Sequence, residues 1–199
     1  MYVWRKMSNS ERESVLANRQ QLERPWHAPP HFTEGTETRF LLTAACYEHR
    51  SVIGRSLDRM AQFEEALIEN CEAHCKEIQA WCVLPNHYHL LVDTEWIREL
   101  LHALGRLHGR SAREWNLQDE TKGRKVWFRI VERAMRSERH FWATLNYIHH
   151  NPVKHGYVKK WRDWPFGSAR DFLDTFGRNY CEELWQEYPV DRYGEDWDR

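Results

Sequence analysis

The chain of 199 residues lacks several features that would assign it to a special class of protein. It has no apolar run of the roughly 18 residues that a transmembrane helix needs. Its first residues, MYVWRKMSNSERES, are polar and lack the apolar segment of a secretory signal peptide. The five cysteines are odd in number and form no CxxC pair. We therefore expect a cytoplasmic protein with reduced thiols and no contact with a membrane.

Tryptophan and segregated charge are what the chain has in excess. Its 11 tryptophans suit either core packing or stacking on nucleic-acid bases. The net charge is −1, but residues 98–170 carry 16 Lys and Arg against 7 Asp and Glu. Residues 1–97 carry 10 against 14, and residues 171–199 carry 3 against 9. A basic middle section with interleaved aromatic residues favours nucleic acid as the partner, although a solvated charged surface gives the same pattern.

Hydrophobic periodicity divides the chain into four strands and three helices. Strands are predicted at 38–47, 78–84, 87–93 and 126–135, the middle two joined as a hairpin by Pro85 and Asn86. Helices are predicted at 56–77, at 94–116 with Thr94 as N-cap, and at 137–150, where Pro152 discourages continuation. The order β-α-β-β-α-β-α predicts an α+β domain, a ferredoxin-like antiparallel sheet with helices on one face. We expect this domain at 38–173, an N-terminal arm at 1–37 and an acidic tail at 174–199.

Two histidines stand in the second strand of the hairpin, in the sequence HYHLLVD. Because side chains alternate along a strand, His87 and His89 point to one face together with Asp93, and Tyr88 points to the other. Two imidazoles at neighbouring positions of one face can converge on a divalent cation. Taken alone, the pattern favours the alternative, a hydrogen-bonded pair of histidines without a metal.

The helix at 137–150 leads into a second polar group, NYIHHNPVKHG. Tyr147 and Asn151 are four residues apart and therefore share one helical face. A tyrosine can act as a nucleophile, and an amide oxygen is a hard ligand for Mg²⁺ or Mn²⁺. The alternative is that Tyr147 packs in the core and Asn151 caps the helix before Pro152.

In combination the motifs VLPNHYHLLV, YIHHNPVKHGYV and DWPFGSARDF resemble the HUH single-tyrosine transposases, in the branch of the REP-associated tyrosine transposases. The resemblance covers about residues 38–173, in the order and spacing of that family. It implies that His87, His89 and Asn151 bind Mg²⁺ or Mn²⁺ and that Tyr147 attacks DNA. It also implies the HUH endonuclease fold, single-stranded or repeat-derived hairpin DNA as partner, and a monomer or homodimer.

The chemistry that the resemblance implies is a metal-dependent transesterification of single-stranded DNA, with a 5′-phosphotyrosine intermediate that allows cleaved ends to be rejoined. Free tyrosine has a pKa of about 10, so a neighbouring cation must favour the phenolate of Tyr147. The basic section supplies candidates for phosphate contacts, and Trp127, Trp161 or Trp164 for base stacking. The phosphate-binding candidates are Arg106, Arg110, Arg113, Arg124, Lys125, Arg129, Lys154, Lys159 and Lys160, with Arg162 close by.

Two other functions fit part of the sequence. A transposase-derived protein that binds DNA hairpins without cutting them would keep the same motifs. A metal-dependent oxygenase barrel also uses an HxH pair, but it needs an acidic ligand shortly afterwards and a third histidine on a later strand. Asp93 substitutes poorly for that ligand, and the helix at 56–77 breaks an all-β pattern.

Overall fold

The computed structural model describes residues 38–190, together with Ser10 and Tyr193. The predicted arm at 1–37 and the end of the predicted tail, apart from these two residues, lie outside the described residues. Four strands are described: β1 Arg39–Cys46, β2 Glu77–Leu84, β3 His87–Asp93 and β4 Trp127–Ala134. The α-helices in the same part of the chain are α1 Leu57–Glu72, α2 Ile97–Gln118, α3 Glu138–Lys154, α4 Ala169–Phe176 and α5 Arg178–Glu187.

The strands form one antiparallel sheet in the order β2-β3-β1-β4. This order, with α1 between β1 and β2 and α2 between β3 and β4, is the predicted ferredoxin-like arrangement. It places β3 inside the sheet, where His89 pairs with Thr43 of β1 and Cys82 of β2. The sheet is open, and helices separate its strands along the chain. The alternative hypothesis of a metal-dependent oxygenase barrel is therefore wrong.

Each face of the sheet buries a separate apolar cluster. On one face Tyr88, Leu90 and Val92 pack against α1 and α2. On the other face Leu91 packs against Leu145 and further apolar residues of α3. The expectation of helices on one face therefore holds for α1 and α2, whereas α3 covers the face that His87 and His89 share. None of the helices within residues 38–190 has the length and apolar character that crossing a bilayer requires.

Helix starts and ends follow local hydrogen bonding, and one predicted cap is wrong. Ser137 caps α3 as predicted, since its hydroxyl accepts from the backbone N–H of His140 at 3.1 Å. Thr94 is not the N-cap of α2, because α2 begins only at Ile97 and Trp96 stands at the cap position; the Thr94 hydroxyl accepts from the backbone N–H of Trp96 at 3.1 Å and donates to the carbonyl of His74 at 2.9 Å. Helix α3 also continues past Pro152 to Lys154, although this proline lacks the N–H that would donate to the carbonyl of Ile148.

The predicted acidic tail contains folded structure. The boundary at 173/174 falls inside α4, and α5 follows it directly. Cys181 and Leu184 of α5 are buried, and Nδ2 of Asn146 in α3 donates to the carbonyls of Leu184 and Tyr188 at 3.1 and 2.9 Å. The division into domains stays a prediction, but residues up to Val190 are tied to α3 in the structure.

Candidate active site

Strand β3 presents two buried imidazoles to α3, each held at its Nδ1 atom. His89 Nδ1 lies 2.8 Å from the hydroxyl of Thr43, and His87 Nδ1 lies 2.7 Å from Oδ1 of Asn86. The two rings are 5.0 Å apart at an angle of 81°. Strand alternation therefore places both histidines as predicted, and their neighbours in the turn and in β1 fix the orientation of both rings.

Helix α3 brings Tyr147 and Asn151 to the same place. The ring of Tyr147 lies 5.2 Å from the ring of His89, and Oδ1 of Asn151 lies 3.2 Å from Nε2 of His87. Both α3 residues are buried, Tyr147 with 2% of its surface exposed. A residue before proline is biased away from helical backbone, yet Asn151 is helical and reaches His87. The structure thus brings all four predicted residues together within one chain.

The hydrogen-bonding pattern around His87 is compatible with a cation between two acceptor atoms. Asn86 and Asn151 each turn an oxygen toward one of its ring nitrogens, but a neutral imidazole has a single N–H. When Nδ1 of His87 donates to Asn86, the shorter of the two contacts, Nε2 keeps a lone pair that faces Oδ1 of Asn151. Two converging lone pairs repel each other unless a cation or a proton lies between them.

The donor set suits a divalent metal ion. Metal-binding histidines usually donate their second ring N–H to a fixed oxygen, the role that Asn86 and Thr43 have here. Neighbouring ligands of an octahedral Mg²⁺ with bonds of about 2.1 Å are about 3 Å apart, close to the 3.2 Å between His87 and Asn151. Nδ2 of Asn151 is buried and has no hydrogen-bond partner among the described residues, so the contact of this side-chain amide within them is that of its oxygen with His87. Residues 38–190 contain no cluster of three His, Cys, Asp or Glu side chains, so this site would consist of two imidazoles and one amide oxygen.

Three further side chains surround the four predicted ones. Nζ of Lys154, a predicted DNA contact, lies 5.1 Å from the ring centre of Tyr147. The ring of His155 lies 5.0 Å from that of His87, and the ring of Tyr193 lies 5.8 Å from that of Tyr147. His155 was not among the predicted site residues, because the helix was expected to end at residue 150, before Pro152. No local sequence pattern predicts the contact of Tyr193 with Tyr147, because this contact depends on the path of the chain after α5.

Some of the predicted DNA contacts lie beside this site. Ala45, the β1 partner of His87, stands opposite both Phe128 and Arg129, because the β1–β4 register shifts there. Arg129 is exposed, and Lys125 is exposed with its Nζ 4.4 Å from the ring centre of Tyr47. Together with Lys154, these two cations lie near the end of the sheet that contains His87.

Other predicted contacts are placed elsewhere. Arg106, Arg110 and Arg113 are exposed on α2, which covers the opposite face of the sheet. Arg124 is half-buried and bonded to Asp119 at 2.8 Å, together with Arg59 at 2.7 Å, and this pairing holds the pKa of the Asp119 carboxyl well below its usual range. Whether these arginines contact DNA stays a prediction.

The tryptophans proposed as stacking platforms differ in exposure. Trp127 is a core residue, stacked on His108 with ring centres 4.1 Å apart, so its predicted role in base stacking is wrong. Trp164 is half-buried and donates from Nε1 to the carbonyl of Val83 at 2.9 Å. Trp161 is half-buried and lines a cavity with Lys159 and Lys160.

Comparison with known proteins identifies the family. A family model described as IS200-like transposase matches residues 41–151, a range that contains His87, His89, Tyr147 and Asn151. A Haemophilus influenzae protein assigned to the REP-associated tyrosine transposases is 33% identical over 141 residues, 65% of this chain and 76% of that protein. The REP-associated tyrosine transposase of Escherichia coli is 31% identical over 131 residues, 60% of this chain and 64% of that protein.

A solved structure of a REP-associated tyrosine transposase bound to a REP hairpin has the same architecture. The two chains superpose with a TM-score of 0.53 and 25% sequence identity, over 84% of this chain and 92% of the other. The match extends beyond the residues of the family model and includes most of the described fold. The chain therefore belongs to the IS200-like transposase family, in the branch of the REP-associated tyrosine transposases.

Proposed function

We propose that this protein cleaves and rejoins single-stranded DNA near hairpins, using a divalent metal ion and a 5′-phosphotyrosine intermediate on Tyr147. The observation that carries the proposal is the convergence of strand and helix residues in one chain. Oδ1 of Asn151 lies 3.2 Å from Nε2 of His87, while the ring of Tyr147 lies 5.2 Å from the ring of His89. A nucleophile next to a three-donor cation site is the arrangement that phosphoryl transfer needs.

The proposed substrate is a DNA hairpin with a single-stranded flank, derived from a genomic repeat. The related structure of a transposase bound to a REP hairpin supports this choice by family membership. The charge of residues 98–170, 16 Lys and Arg against 7 Asp and Glu, supports a polyanionic partner. Lys125, Arg129 and Lys154, which lie at the end of the sheet near His87, are the residues we expect to contact phosphates nearest to the reaction.

His87, His89 and Asn151 would hold the metal ion, Mg²⁺ or Mn²⁺. When bound, such a cation would polarise the scissile phosphate and offset the negative charge that develops on its oxygens. Asn86 and Thr43 would keep the Nε2 lone pairs of the two histidines directed into the site, because each would accept a hydrogen bond from the Nδ1–H of its histidine.

Tyr147 would then carry out the exchange of bonds. Its phenolate oxygen forms a bond to phosphorus while the bond from phosphorus to the 3′ oxygen breaks, and the released 3′ oxygen takes up a proton. The ammonium group of Lys154 lies 5.1 Å from the centre of the tyrosine ring, where it would attract the negatively charged phosphate toward Tyr147. Attack of a 3′-OH on the phosphotyrosine reverses the step and restores Tyr147, so joining needs no external energy source.

One observation favours a second candidate function, a catalytically silent protein that binds DNA hairpins. Tyr147 is only 2% exposed, and Tyr193 packs against its ring at 5.8 Å. A nucleophile must be reached by its phosphate, and a protein that only binds the hairpin does not require this access. Binding by the basic surface would persist in such a protein.

The experiment that separates the two candidates is adduct formation on labelled hairpin oligonucleotides. The wild-type protein is incubated with hairpins that have single-stranded flanks, in Mn²⁺ or in EDTA, and resolved on a denaturing gel. A covalent protein–DNA adduct in Mn²⁺ that is absent in EDTA is the expected result. Tight binding of the same hairpins without an adduct would assign the protein to the silent candidate.

A further inference from the structure

A cavity of about 430 Å³ lies beside α3, apart from the candidate active site. It is enclosed by α3, by residues 159–162 and by the helices α4 and α5. None of the four candidate active-site residues lines it. Its volume falls in the range of about 300–1,000 Å³ that is usual for pockets that hold small ligands.

Aromatic side chains form part of the lining of the cavity. Trp161, Trp185 and Phe172 line it, all half-buried, so part of each ring is available to a ligand. His149 and His150 complete the walls: the ring of His150 lies 4.8 Å from that of Trp185.

The rim of the cavity is positively charged. Lys159, Lys160 and Arg162 line it, and no ion pair joins any of them to another residue in the described part of the chain. Glu182 is the acidic residue among the lining side chains, and it is paired with Arg178 at 2.6 Å. The cavity therefore combines planar aromatic surfaces with three cations that form no ion pair within residues 38–190.

We propose that this cavity binds one unpaired nucleotide, with its base against Trp161 and Trp185 and its phosphate at Lys159, Lys160 and Arg162. Stacking on aromatic side chains combined with a basic path for the backbone is how proteins hold single-stranded nucleic acid. A peptide or lipid ligand would use the cations or the apolar walls but would not require flat aromatic rings on several sides.

The nucleotide comes from the single strand that flanks a bound hairpin, and in this respect the proposal rests on the proposed function. The α3 residues that line the cavity include Asn146 and His150, which directly precede Tyr147 and Asn151 in the sequence. Adjacent helical residues lie about 100° apart around an axis whose helix is about 10–12 Å in diameter, so a flank of a few nucleotides reaches around α3 from the active site to the cavity. A free mononucleotide has the same chemistry, and the experiment must distinguish it from the flank.

The test is an abasic scan of the flank, measured as hairpin affinity by fluorescence anisotropy. Loss of one stacked base should weaken binding about 5- to 150-fold at one flank position and little at the others. Trp185→Ala should weaken binding of the intact flank by a similar factor and then make that position insensitive to base removal. Trp96→Ala, a change at a 64% exposed tryptophan that does not line the cavity, should leave the abasic effect unchanged.

A second variant guards against misfolding of Trp185→Ala. The double change Lys159→Gln and Lys160→Gln replaces two exposed residues and leaves the aromatic walls in place. Each lost phosphate contact to a single strand should lower the slope of log affinity against log salt by about 0.7. Lys76→Gln, an exposed lysine outside the cavity, should leave the slope unchanged.

The outcomes separate this inference from the proposed function. Hairpin binding with no flank position coupled to Trp185 would overturn the inference and leave the proposed function intact. Coupling at one position without any covalent adduct would support the inference while overturning cleavage. The remaining measurement is calorimetry with dAMP, dGMP, dCMP and TMP. If these nucleotides bind in a way that depends on Trp185, and no flank position is coupled to Trp185, the cavity binds free nucleotides. That result would overturn the proposal that the nucleotide belongs to the DNA flank.

Discussion

The side-chain oxygen of Asn151 lies 3.2 Å from Nε2 of His87, although 64 positions separate the two residues. The contact links the end of α3 to the start of β3, and Asn86 holds the other ring nitrogen of the same histidine. A helix terminus and a hairpin turn are thereby fixed to one another at the point where we expect the metal ion. Displacement of α3 along its axis would separate this pair and move Tyr147 away from His89 at the same time.

The first prediction concerns the two histidines. His87→Ala or His89→Ala should abolish Mn²⁺ binding and cleavage, because each removes one of three metal donors. The fold should stay intact, with a loss of about 1–3 kcal/mol at most from the unsatisfied hydroxyl or amide left behind. Calorimetric titration with Mn²⁺ and circular dichroism check both parts. His102→Ala, an exposed change on α2, is the control, and full cleavage by either site variant in EDTA would reject the metal role.

Local rules account for the part of this site that the sequence predicts. Strand alternation puts His87 and His89 on one face of their strand, and helical spacing puts Tyr147 and Asn151 on one face of their helix. Both rules need only the local sequence. That α3 packs on the histidine face is a tertiary property, and periodicity contains no information about it. The burial of Trp127 against His108 escaped prediction for the same reason, because stacking on a ligand and stacking in a core require the same residue type.

The second prediction concerns the predicted tail. Leu184→Ala should destabilise the protein by about 2–5 kcal/mol, because the side chain is buried between α5 and α3. Leu117→Ala, at a 72% exposed position on α2, should change stability by about 0.5 kcal/mol or less. Urea denaturation checks the pair. The composition of residues 171–199, 3 Lys and Arg against 9 Asp and Glu, concealed this packing because the charged side chains of α5 are exposed and its buried residues are few.

The third prediction assigns DNA affinity to one side of the molecule. Lys125→Gln with Arg129→Gln should weaken hairpin binding and lower its salt dependence, since both cations lie at the end of the sheet near His87. Arg106→Gln with Arg110→Gln should have a smaller effect, because α2 covers the opposite face. Anisotropy titrations between low and physiological salt measure both slopes. A larger loss from the α2 pair would place the hairpin on the helical face and contradict this arrangement.

The fourth prediction is a dependence of stability on pH. Burial lowers the pKa of His108 from 6.5 to about 4, so between these values the unfolded chain binds a proton that the folded chain does not. Stability should therefore fall as the pH drops from about 6.5 toward 4, by up to about 1.4 kcal/mol per pH unit. His108→Gln should reduce this slope in urea denaturation at several pH values, whereas His102→Gln, exposed on the same helix, should not. An unchanged slope in His108→Gln would mean that other groups, such as the buried His149, account for it.

The last prediction separates the enzyme from the silent binder. Tyr147→Phe removes one oxygen and keeps the ring that packs against His89, so the fold should survive with at most a modest loss of stability. Metal and DNA binding should persist, because the donors of the metal site and the basic surface are unchanged. Cleavage should disappear, because Tyr147 is the side chain of α3 placed as a nucleophile beside His87 and His89.

Tyr157→Phe is the matched control for that change. Tyr157 is 42% exposed, lies beyond the end of α3 and packs near Trp164, with ring centres 5.4 Å apart. Adduct formation on labelled hairpin DNA is compared for the wild type and both variants. An adduct that survives in Tyr147→Phe and is lost in Tyr157→Phe would move the nucleophile to Tyr157. Loss in Tyr147→Phe alone, with hairpin affinity unchanged, is the result that the contacts of Tyr147 with His89 and Lys154 lead us to expect.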